Sequence, residues 1–333
     1  MTLPISVIIP IKDCIHLLVR HVSLNKTWIP HVAEIIVVDS YSKDGSIEFL
    51  KKKLPHPNIR FISHPPGLYQ SWNFGIQKAK HPYIYISTAG ESITLEGLIH
   101  LLDSIQKLDC DVIVSPPKFE KEGTGRISTR PWPVREIVEL FNITEPAVIP
   151  QKILFDFMIY YLRSAILGSS ASNLYKSSTL KKYPFPEDYG TCGDSAWGIR
   201  YNYKVSIGFT PRVFSSFLFH KKENVKIKST GPNKDLKELF LKLVYDSINS
   251  ELEASPPSLS QQFSSKFELL DIQKEIVKHK VLYKEYRDKS LLLSYGALKA
   301  IVYRLNHKRL RKKFKNRVVQ LAENYIHRTK VKI

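Results

Sequence analysis

Apolar residues in the first third of the chain form short continuous runs that alternate with amphipathic segments. Five runs are rich in β-branched and aromatic residues: ISVIIP, EIIVVD, NIRFIS, YIYIS and DVIVS. Between these runs the apolar residues recur at helical spacing, as in 44–53, 69–80 and 94–107. Continuous apolar strands joined by helices are typical of a parallel sheet covered on both faces. The pattern predicts an α/β fold that binds a ligand at the carboxyl ends of its strands.

The pattern changes after residue 115, where prolines and charged residues accumulate. An apolar helix is predicted at 151–163, and SASNLYKSS predicts a short strand and turn. A short helix at 194–203 and strands at 205–209 and 213–220 follow. This half is of α+β type and is expected to pack beside the parallel sheet.

Beyond residue 220 the chain is predicted to be helical. A first helix carries an apolar stripe, ASPPSLSQQ forms a linker, and the helix near the C-terminus has Leu298, Ile301, Val302 and Leu305 on one face. The predicted organisation is a domain at 1–222, with halves 1–115 and 116–222, and a helical basic extension at 223–333.

Composition adds constraints on the partners. The chain has 333 residues, 43% hydrophobic and 11% aromatic, enough for a full core. Its formal net charge of +19 points to an anionic partner such as phosphates, nucleic acid or an anionic membrane. Cys14, Cys110 and Cys192 are far apart, which favours a reducing, cytoplasmic compartment. No signal peptide is visible and no run reaches the ~20 apolar residues of a membrane span. A soluble or peripheral protein is expected.

Polar residues follow three of the predicted strands. Lys12 and Asp13 come after the first, Asp39 and Asp44 after the second, and STAGES after the fourth. Asp39 is either a turn residue or a carboxylate that points into the ligand crevice. For Asp44 the role of helix N-cap is the better interpretation.

Four segments, in order, resemble the GT-A-fold family 2 glycosyltransferases, which use nucleotide-activated sugars. They are ISVIIPIKD, EIIVVDSYSKDGS, GLYQSWNFGIQKAKHPYIYISTAGES and GDSAWGIRYNYKVSIGFTPRVFSSFLFH, and they extend from Ile5 to His220. The resemblance implies a Rossmann-like, mostly parallel sheet flanked by helices. It places the nucleotide-sugar in the half at 1–115 and the acceptor in the half at 116–222.

The resemblance implies a donor site made by residues at the carboxyl ends of the strands. Those it aligns with nucleotide-sugar binding are Pro10, Lys12, Asp13, Asp39, Asn73 and Gly90. Lys12 stands where the family usually has a residue that stacks on the base, so a nucleotide other than uridine is open.

The family's Asp-x-Asp metal motif falls on Thr88, Ala89 and Gly90, which have no carboxylate. The resemblance implies that a divalent cation, Mn²⁺ or Mg²⁺, is held by the next acid, Glu91, and by His220. The alternatives are that Glu91 favours the N-terminus of the following helix and that His220 is a surface residue.

On the acceptor side, the resemblance places the catalytic base of an inverting transfer at Asp194 in CGDSAWGIR. Gly193 stands where the family often has another acid. Asp194 also fits as the N-cap of the helix that follows. Trp197 either stacks on a sugar or fills the core. Arg200 either contacts phosphate or pairs with an acid.

The C-terminal segment is strongly basic. Between Lys289 and Ile333 the one acid is Glu323, while lysines and arginines cluster at 308–317. Phe314, Val318 and Leu321 give this predicted helix an apolar stripe, which fits an anionic membrane surface. A solvated face and a nucleic-acid site are the alternatives.

The sequence thus predicts a glycosyltransferase with a nucleotide-diphospho-sugar donor and an unknown hydroxyl acceptor, either a sugar or lipid-linked. Making cell envelope polysaccharide on the cytoplasmic face of a membrane is the expected setting. The alternatives are a catalytically impaired relative that binds a nucleotide or a partner, since the Asp-x-Asp acids are absent, and a nucleic-acid-binding protein.

Overall fold

The computed structural model describes residues 2–54, 56–121, 127–128, 133–162, 167, 170–219, 236–256, 261–289 and 295–329. The chain divides into two compact units. Unit 1 comprises Met1–Ile149 and Ser164–Thr230, with Ile333, and unit 2 comprises Pro150–Arg163 and Gly231–Lys332. The apolar helix predicted in the first domain therefore groups with the C-terminal helices, which differs from the predicted boundary at 222.

Unit 1 is built on an eight-stranded sheet with the strand order β3-β2-β1-β4-β10-β6-β11-β9. The strands of this main sheet are β1 (Leu3–Ile11), β2 (Val32–Asp39), β3 (Ile59–Ser63), β4 (Tyr83–Ile86), β6 (Val112–Val114), β9 (Ala147–Val148), β10 (Asn173–Lys176) and β11 (Ile207–Phe209). A four-stranded sheet has the order β5-β12-β7-β8. Its strands are β5 (Ser92–Ile93), β7 (Lys118–Lys121), β8 (Ile127–Ser128) and β12 (Ser215–Phe219).

The five strands predicted from apolar runs are confirmed as β1, β2, β3, β4 and β6. Strands β3, β2, β1 and β4 are parallel neighbours, and all eight residues of β2 are buried. Covering on both faces explains why these strands are apolar without alternation. The sequence did not predict that β10 enters between β4 and β6 and pairs antiparallel with both.

Helices of unit 1 flank the sheet. They are α1 (Ile15–Asn25), α2 (Ser46–Lys53), α3 (Leu68–Lys78), α4 (Leu95–Leu108), α5 (Pro133–Leu140), α7 (Ser177–Lys182) and α8 (Gly193–Tyr201). The mostly parallel α/β fold predicted from the sequence is therefore confirmed. The strand order reverses at β1, which pairs with β2 on one side and β4 on the other. Such a reversal opens a crevice at the carboxyl ends of the strands.

Unit 2 consists of helices: α6 (Gln151–Tyr161), α9 (Leu236–Ala254), α10 (Gln261–Lys289) and α11 (Tyr295–Thr329). Asp156 of α6 forms a buried ion pair with Lys266 of α10, whose ammonium also donates to the Lys152 carbonyl. Phe314 of α11 is fully buried, with its ring edge-on to Tyr160 at 5.1 Å. These contacts explain why α6 belongs to this unit.

The apolar residues that are buried and those that are exposed on the C-terminal helix α11 differ from the prediction. Phe314 and Val318 are 0% and 1% exposed, so the stripe assigned to a membrane surface is packed inside unit 2. Ile301, Val302 and Leu305, on the other predicted face, are exposed instead. None of the described helices combines the length and the apolar character that crossing a membrane requires.

Candidate functional site

A pocket of about 340 Å³ lies where the strand order reverses. Its walls come from the carboxyl ends of β1, β2 and β4 and from the first turn of α3. The lining residues are Pro10, Ile11, Lys12, Cys14, Ser40, Gly67, Leu68, Ser71, Thr88 and Ala89. Pro10 and Lys12 therefore lie where the sequence predicted donor contacts. The hydroxyls of Ser40 and Ser71, 3.0 Å apart, join the loop after β2 to α3.

Carboxylates hold together the loops that follow β1 and β2. Asp13 accepts the Lys43 backbone N–H at 2.7 Å, and its own N–H donates to Ser42 Oγ at 3.0 Å. Asp44 accepts the N–H of Ile15 at the start of α1 and the N–H of Ser46 at the start of α2, at 2.8 and 3.1 Å. Helix α2 thus begins two residues later than predicted, and Asp44 serves two helix N-termini.

Asp39 ends β2 and is 6% exposed. Both of its carboxylate oxygens accept the Ser42 N–H, at 3.1 and 3.3 Å. The turn between them includes Tyr41 in the left-handed region, with φ of 58°. The role of turn residue that the sequence allowed for Asp39 is therefore present, and its carboxylate is engaged within the loop.

The segment aligned with the metal motif forms a tight turn. The Glu91 N–H donates to the Thr88 carbonyl at 3.1 Å, and Gly90 has a φ of 86°, which a side chain rarely tolerates. Arg20 Nε donates to the Gly90 carbonyl at 3.4 Å and so helps to hold the turn. Gly90 itself is not one of the residues that line the pocket. Buried Asn25 donates to the Glu91 carbonyl at 2.9 Å. Thr88 and Ala89 are the turn residues that face the pocket.

Glu91 is 8% exposed, and its carboxylate accepts a hydrogen bond from Ser170 Oγ at 3.4 Å. Its charge contributes to raising the pKa of the buried Tyr85 phenol, after burial itself. Among the described residues, no group of three His, Cys, Asp or Glu side chains could hold a metal ion. His220 lies outside the described residues. The described side chains alone therefore do not form a cation site.

Asp194 lies in the first turn of α8, which begins at Gly193, so it is not the helix N-cap that the sequence suggested. One carboxylate oxygen accepts the Ser195 N–H at 2.7 Å. Burial raises the pKa of Asp194 to about 6, while hydrogen bonds from the Ser195 N–H and the Tyr69 hydroxyl lower it by less. A carboxylate with such a pKa can take up and release a proton near neutral pH.

Asn73 and its neighbours connect α3 to the segment before α8. The Asn73 amide donates to the Phe185 carbonyl at 2.9 Å and to Glu187 Oε1 at 3.0 Å, and its oxygen accepts the Phe185 N–H at 2.9 Å. These three bonds occupy the amide, so Asn73 positions this segment and does not line the pocket. The structure thus shows a structural role for Asn73, and its predicted donor contact stays a prediction.

The two residues predicted on the acceptor side have different environments. Trp197 is fully buried, and its indole N–H donates to the Tyr183 carbonyl at 2.7 Å. It is thus a core residue, which is one of the two roles that the sequence allowed for it. Arg200 is exposed, with its guanidinium 5.8 Å from the centre of the Tyr189 ring.

The first turn of α3 was missed as part of the site. Gly67, Leu68 and Ser71 line the pocket, and the Tyr69 ring packs against Gly193, next to Asp194. The sequence could have indicated this, because GLYQSW begins the helix that follows the third strand. The N-terminus of that helix must lie at the same edge of the sheet as the strand ends.

The chain is similar to known proteins in part of its sequence and in its fold. Residues 6–166 match the family model described as glycosyl transferase family 2. Among solved structures, the chain is similar to S. aureus TarS 1–349 in complex with UDP-GlcNAc, with 16% identity and a TM-score of 0.50 over 95% of this chain and 92% of that one. It is also similar to full S. aureus TarS, with 16% identity and a TM-score of 0.48 over 91% of this chain and 54% of that one. No curated protein matches the sequence.

Proposed function

We propose that the chain is a family 2 glycosyltransferase that transfers a sugar from a nucleotide-diphospho-sugar to a hydroxyl acceptor, with inversion. The match of residues 6–166 to the glycosyl transferase family 2 model supports this. One observation carries the proposal. The first turn of α3 lines the pocket with Leu68, and the ring of the next residue, Tyr69, packs against Gly193, the residue before Asp194. The same turn thus joins the pocket to the start of α8, where a carboxylate that can act as a base is located.

In this mechanism the pocket binds the nucleotide-sugar at the ends of β1, β2 and β4. Lys12 lines the pocket and supplies a positive charge for the diphosphate. Asp194 takes the proton of the acceptor hydroxyl while that oxygen attacks the anomeric carbon and the nucleoside diphosphate leaves. Positioned bases of this kind typically contribute about 10²–10⁴-fold.

Donor binding is tested by calorimetry with UDP-GlcNAc, the nucleotide-sugar in the similar TarS structure. We expect Lys12→Ala to weaken binding, because Lys12 lines the pocket. Lys26→Ala, an exposed lysine just after α1, serves as the control and should leave affinity unchanged. Equal affinity in all three proteins would contradict the assignment of the pocket. Binding without any transfer or hydrolysis would favour the catalytically impaired relative.

The cation remains part of the proposal. Glu91 is the acid of the turn aligned with the metal motif, and oxygens of the bound diphosphate would have to complete the coordination of Mn²⁺ or Mg²⁺. A bound cation would neutralise charge that builds on the diphosphate. Nucleotide affinity should then be higher in manganese than in chelator, and Glu91→Gln should reduce that difference. Equal affinity of the unaltered chain in manganese and in chelator would remove the cation from the mechanism.

For the setting, we propose an acceptor that is a sugar or a lipid-linked sugar of a cell envelope polysaccharide, reached at the cytoplasmic face of a membrane. The charge of α11 supports this, since ten lysines and arginines and one glutamate occur in Tyr295–Thr329. A deletion after residue 288 would not test it, because it would also remove the buried Phe314 and Val318. Substitutions on the helix surface are needed.

A further inference from the structure

Helix α11 has a surface that combines apolar and cationic side chains. Ile301, Val302 and Leu305 are 55%, 53% and 58% exposed. At about 100° per residue they lie on one side of the helix. Arg309 and Lys312, both exposed, continue this side over the next turns.

The opposite side of α11 anchors the helix in unit 2. Ala300, Phe314 and Val318 are buried, and Arg317 pairs with Glu268 at 3.0 Å. In contrast, Arg309 and Lys312 form no ion pair with any residue that the structure describes. Helix packing and local ion pairs therefore account for the inner side of α11 but leave the charges and apolar groups of the outer side unused.

We propose that this outer side, called the docking face and defined by Ile301, Val302, Leu305, Lys308, Arg309 and Lys312, binds the surface of an anionic phospholipid membrane. A dissolved polyanion would use the cations but not the three aliphatic side chains. A membrane interface accommodates both, with aliphatic groups at the acyl boundary and cations at the headgroups. The inference rests on the membrane attachment proposed above and names the surface responsible.

Two variants of the full chain test the docking face in co-sedimentation with phosphatidylcholine vesicles that contain or lack phosphatidylglycerol. They are I301S/V302S/L305S and K308Q/R309Q/K312Q. We expect the unaltered chain to bind the anionic vesicles and each variant to bind on the order of a hundredfold more weakly. The control K274Q/K278Q/K284Q removes the same charge from exposed positions of α10 and should bind like the unaltered chain.

Each of the other possible outcomes would overturn one part of the docking-face proposal. If the control loses as much binding as the docking-face variants, net charge and not this surface is responsible. If the aliphatic variant binds normally and inorganic polyphosphate displaces the chain, the face is a polyanion site. If the unaltered chain does not sediment with anionic vesicles, the membrane attachment itself is wrong, while UDP-GlcNAc binding still judges the transferase proposal separately.

A second inference concerns Tyr69 and rests on a separate observation. A Cβ atom at Gly193 would lie 2.5 Å from two ring carbons of Tyr69 and 2.6 Å from the Pro186 carbonyl oxygen. The Tyr69 ring therefore fills the space beside the residue before Asp194. Its hydroxyl donates to the Thr191 carbonyl oxygen at 3.3 Å and is near enough to Asp194 to lower the pKa of that carboxyl.

We infer that Tyr69 positions the carboxylate of Asp194. This inference rests on the proposed role of Asp194 as the base. The phenol has one proton to donate, and an ionised carboxylate is a stronger acceptor than a carbonyl. The hydroxyl, which donates to the Thr191 carbonyl in the structure, can therefore turn to Asp194 and hold it when Asp194 is ionised. Once Asp194 has taken the proton of the acceptor, the phenol can turn to the Thr191 carbonyl without losing its own proton. Packing against Gly193 fixes the ring from which this hydroxyl extends.

Tyr69→Phe keeps the ring and removes the hydroxyl, and the pH dependence of transfer distinguishes a positioning role from a structural one. Since the hydroxyl lowers the pKa of Asp194, its loss should move the acidic limb of the rate to higher pH. Trp72→Phe is the control, because Trp72 packs on Tyr69 at 4.9 Å and its indole N–H has no partner among the described residues. An unmoved limb in Tyr69→Phe, or an equal movement in the control, would overturn the inference. Undiminished transfer in Asp194→Asn would instead disprove the base itself.

Discussion

Carboxylates occur in two different settings at the carboxyl edge of the main sheet. In the loops after β1 and β2, Asp13, Asp39 and Asp44 accept backbone N–H groups and tie the loops together. At the start of α8, Asp194 is partly buried and accepts the Ser195 backbone N–H. For Asp44 and Asp194, the balance between hydrogen bonds and burial separates an acid that shapes the site from one suited to proton transfer.

The pKa directions follow from this difference. Burial alone would raise the pKa of Asp44, but hydrogen bonds from Ile15 and Ser46 outweigh it and lower the pKa. For Asp194, burial outweighs the bonds from Ser195 and Tyr69, and the pKa rises to about 6. A base must hold its proton neither too weakly nor too strongly at the working pH, so Asp194 is the better suited of the two.

The largest expected effect is on turnover in Asp194→Asn. An amide cannot take the proton of the acceptor, so kcat should fall by about 10²–10⁴-fold while donor affinity is retained. Its side-chain oxygen can still accept the Ser195 N–H. Steady-state transfer and calorimetry with the same donor measure the two quantities. Undiminished transfer would place the base elsewhere, with Glu187 and Asp188 the next candidates.

The pH profile of transfer gives the next largest effect. Asp194 must be ionised to act as a base, so kcat should be constant above about pH 7 and fall toward tenfold per pH unit below the pKa of about 6. A rate that stays constant down to pH 4.5 would mean that an acid with an ordinary or lowered pKa, such as those of the loops, limits the reaction.

A smaller effect is expected when a loop acid is removed. Asp44→Ala leaves the N–H groups of Ile15 and Ser46 without their acceptor, so the free energy of unfolding should fall by about 1–3 kcal/mol. Urea unfolding at neutral pH measures the change. The folded pKa of Asp44 is lowered, so this contribution is present above its unfolded value of 3.8 and lost as the pH falls through the folded pKa.

Asp44→Asn provides the matched control, because it keeps an oxygen that can accept the same N–H groups. It should unfold at a urea concentration between those of Asp44→Ala and the unaltered chain. If all three proteins unfold alike, the bonds to α1 and α2 do not stabilise the loops, and the distinction between the two settings fails.

The sequence predicted the fold better than the roles of individual side chains. Runs such as EIIVVD are apolar throughout because both faces of β2 are covered, and that constraint is local enough to recognise. The entry of β10 between β4 and β6 depends on pairing between residues distant in the chain, for which NLYK carries no periodic signal.

Side-chain roles depended on contacts that no pattern contains. The sequence left a sugar contact and a core role open for Trp197, and the buried ring with its indole N–H donated to the Tyr183 carbonyl selects the core role. The bridge from Asn73 to Phe185 joins residues 112 positions apart, and nothing in the sequence around Asn73 indicates it. Gly193 seemed to lack an acid, and the structure shows that the Tyr69 ring leaves no room for one.

The smallest expected effect is a gain of stability in Asp194→Asn at high pH. The folded pKa of Asp194 lies above its unfolded value of 3.8, so the folded state binds its proton more tightly between about pH 4 and 6. Stability from this group is therefore fully present below pH 4 and is lost as the pH rises through 6, where burial disfavours the charge. Asn carries no charge, so at pH 8 the free energy of unfolding of the variant should exceed that of the unaltered chain. The expected difference is about 1 kcal/mol, which is reduced from the full pKa shift because Asp194 is partly exposed. At pH 4 the two should be equal. Urea unfolding at both values measures this, and a variant that is less stable at pH 8 would show that Asp194 supports the fold in the way that Asp44 does.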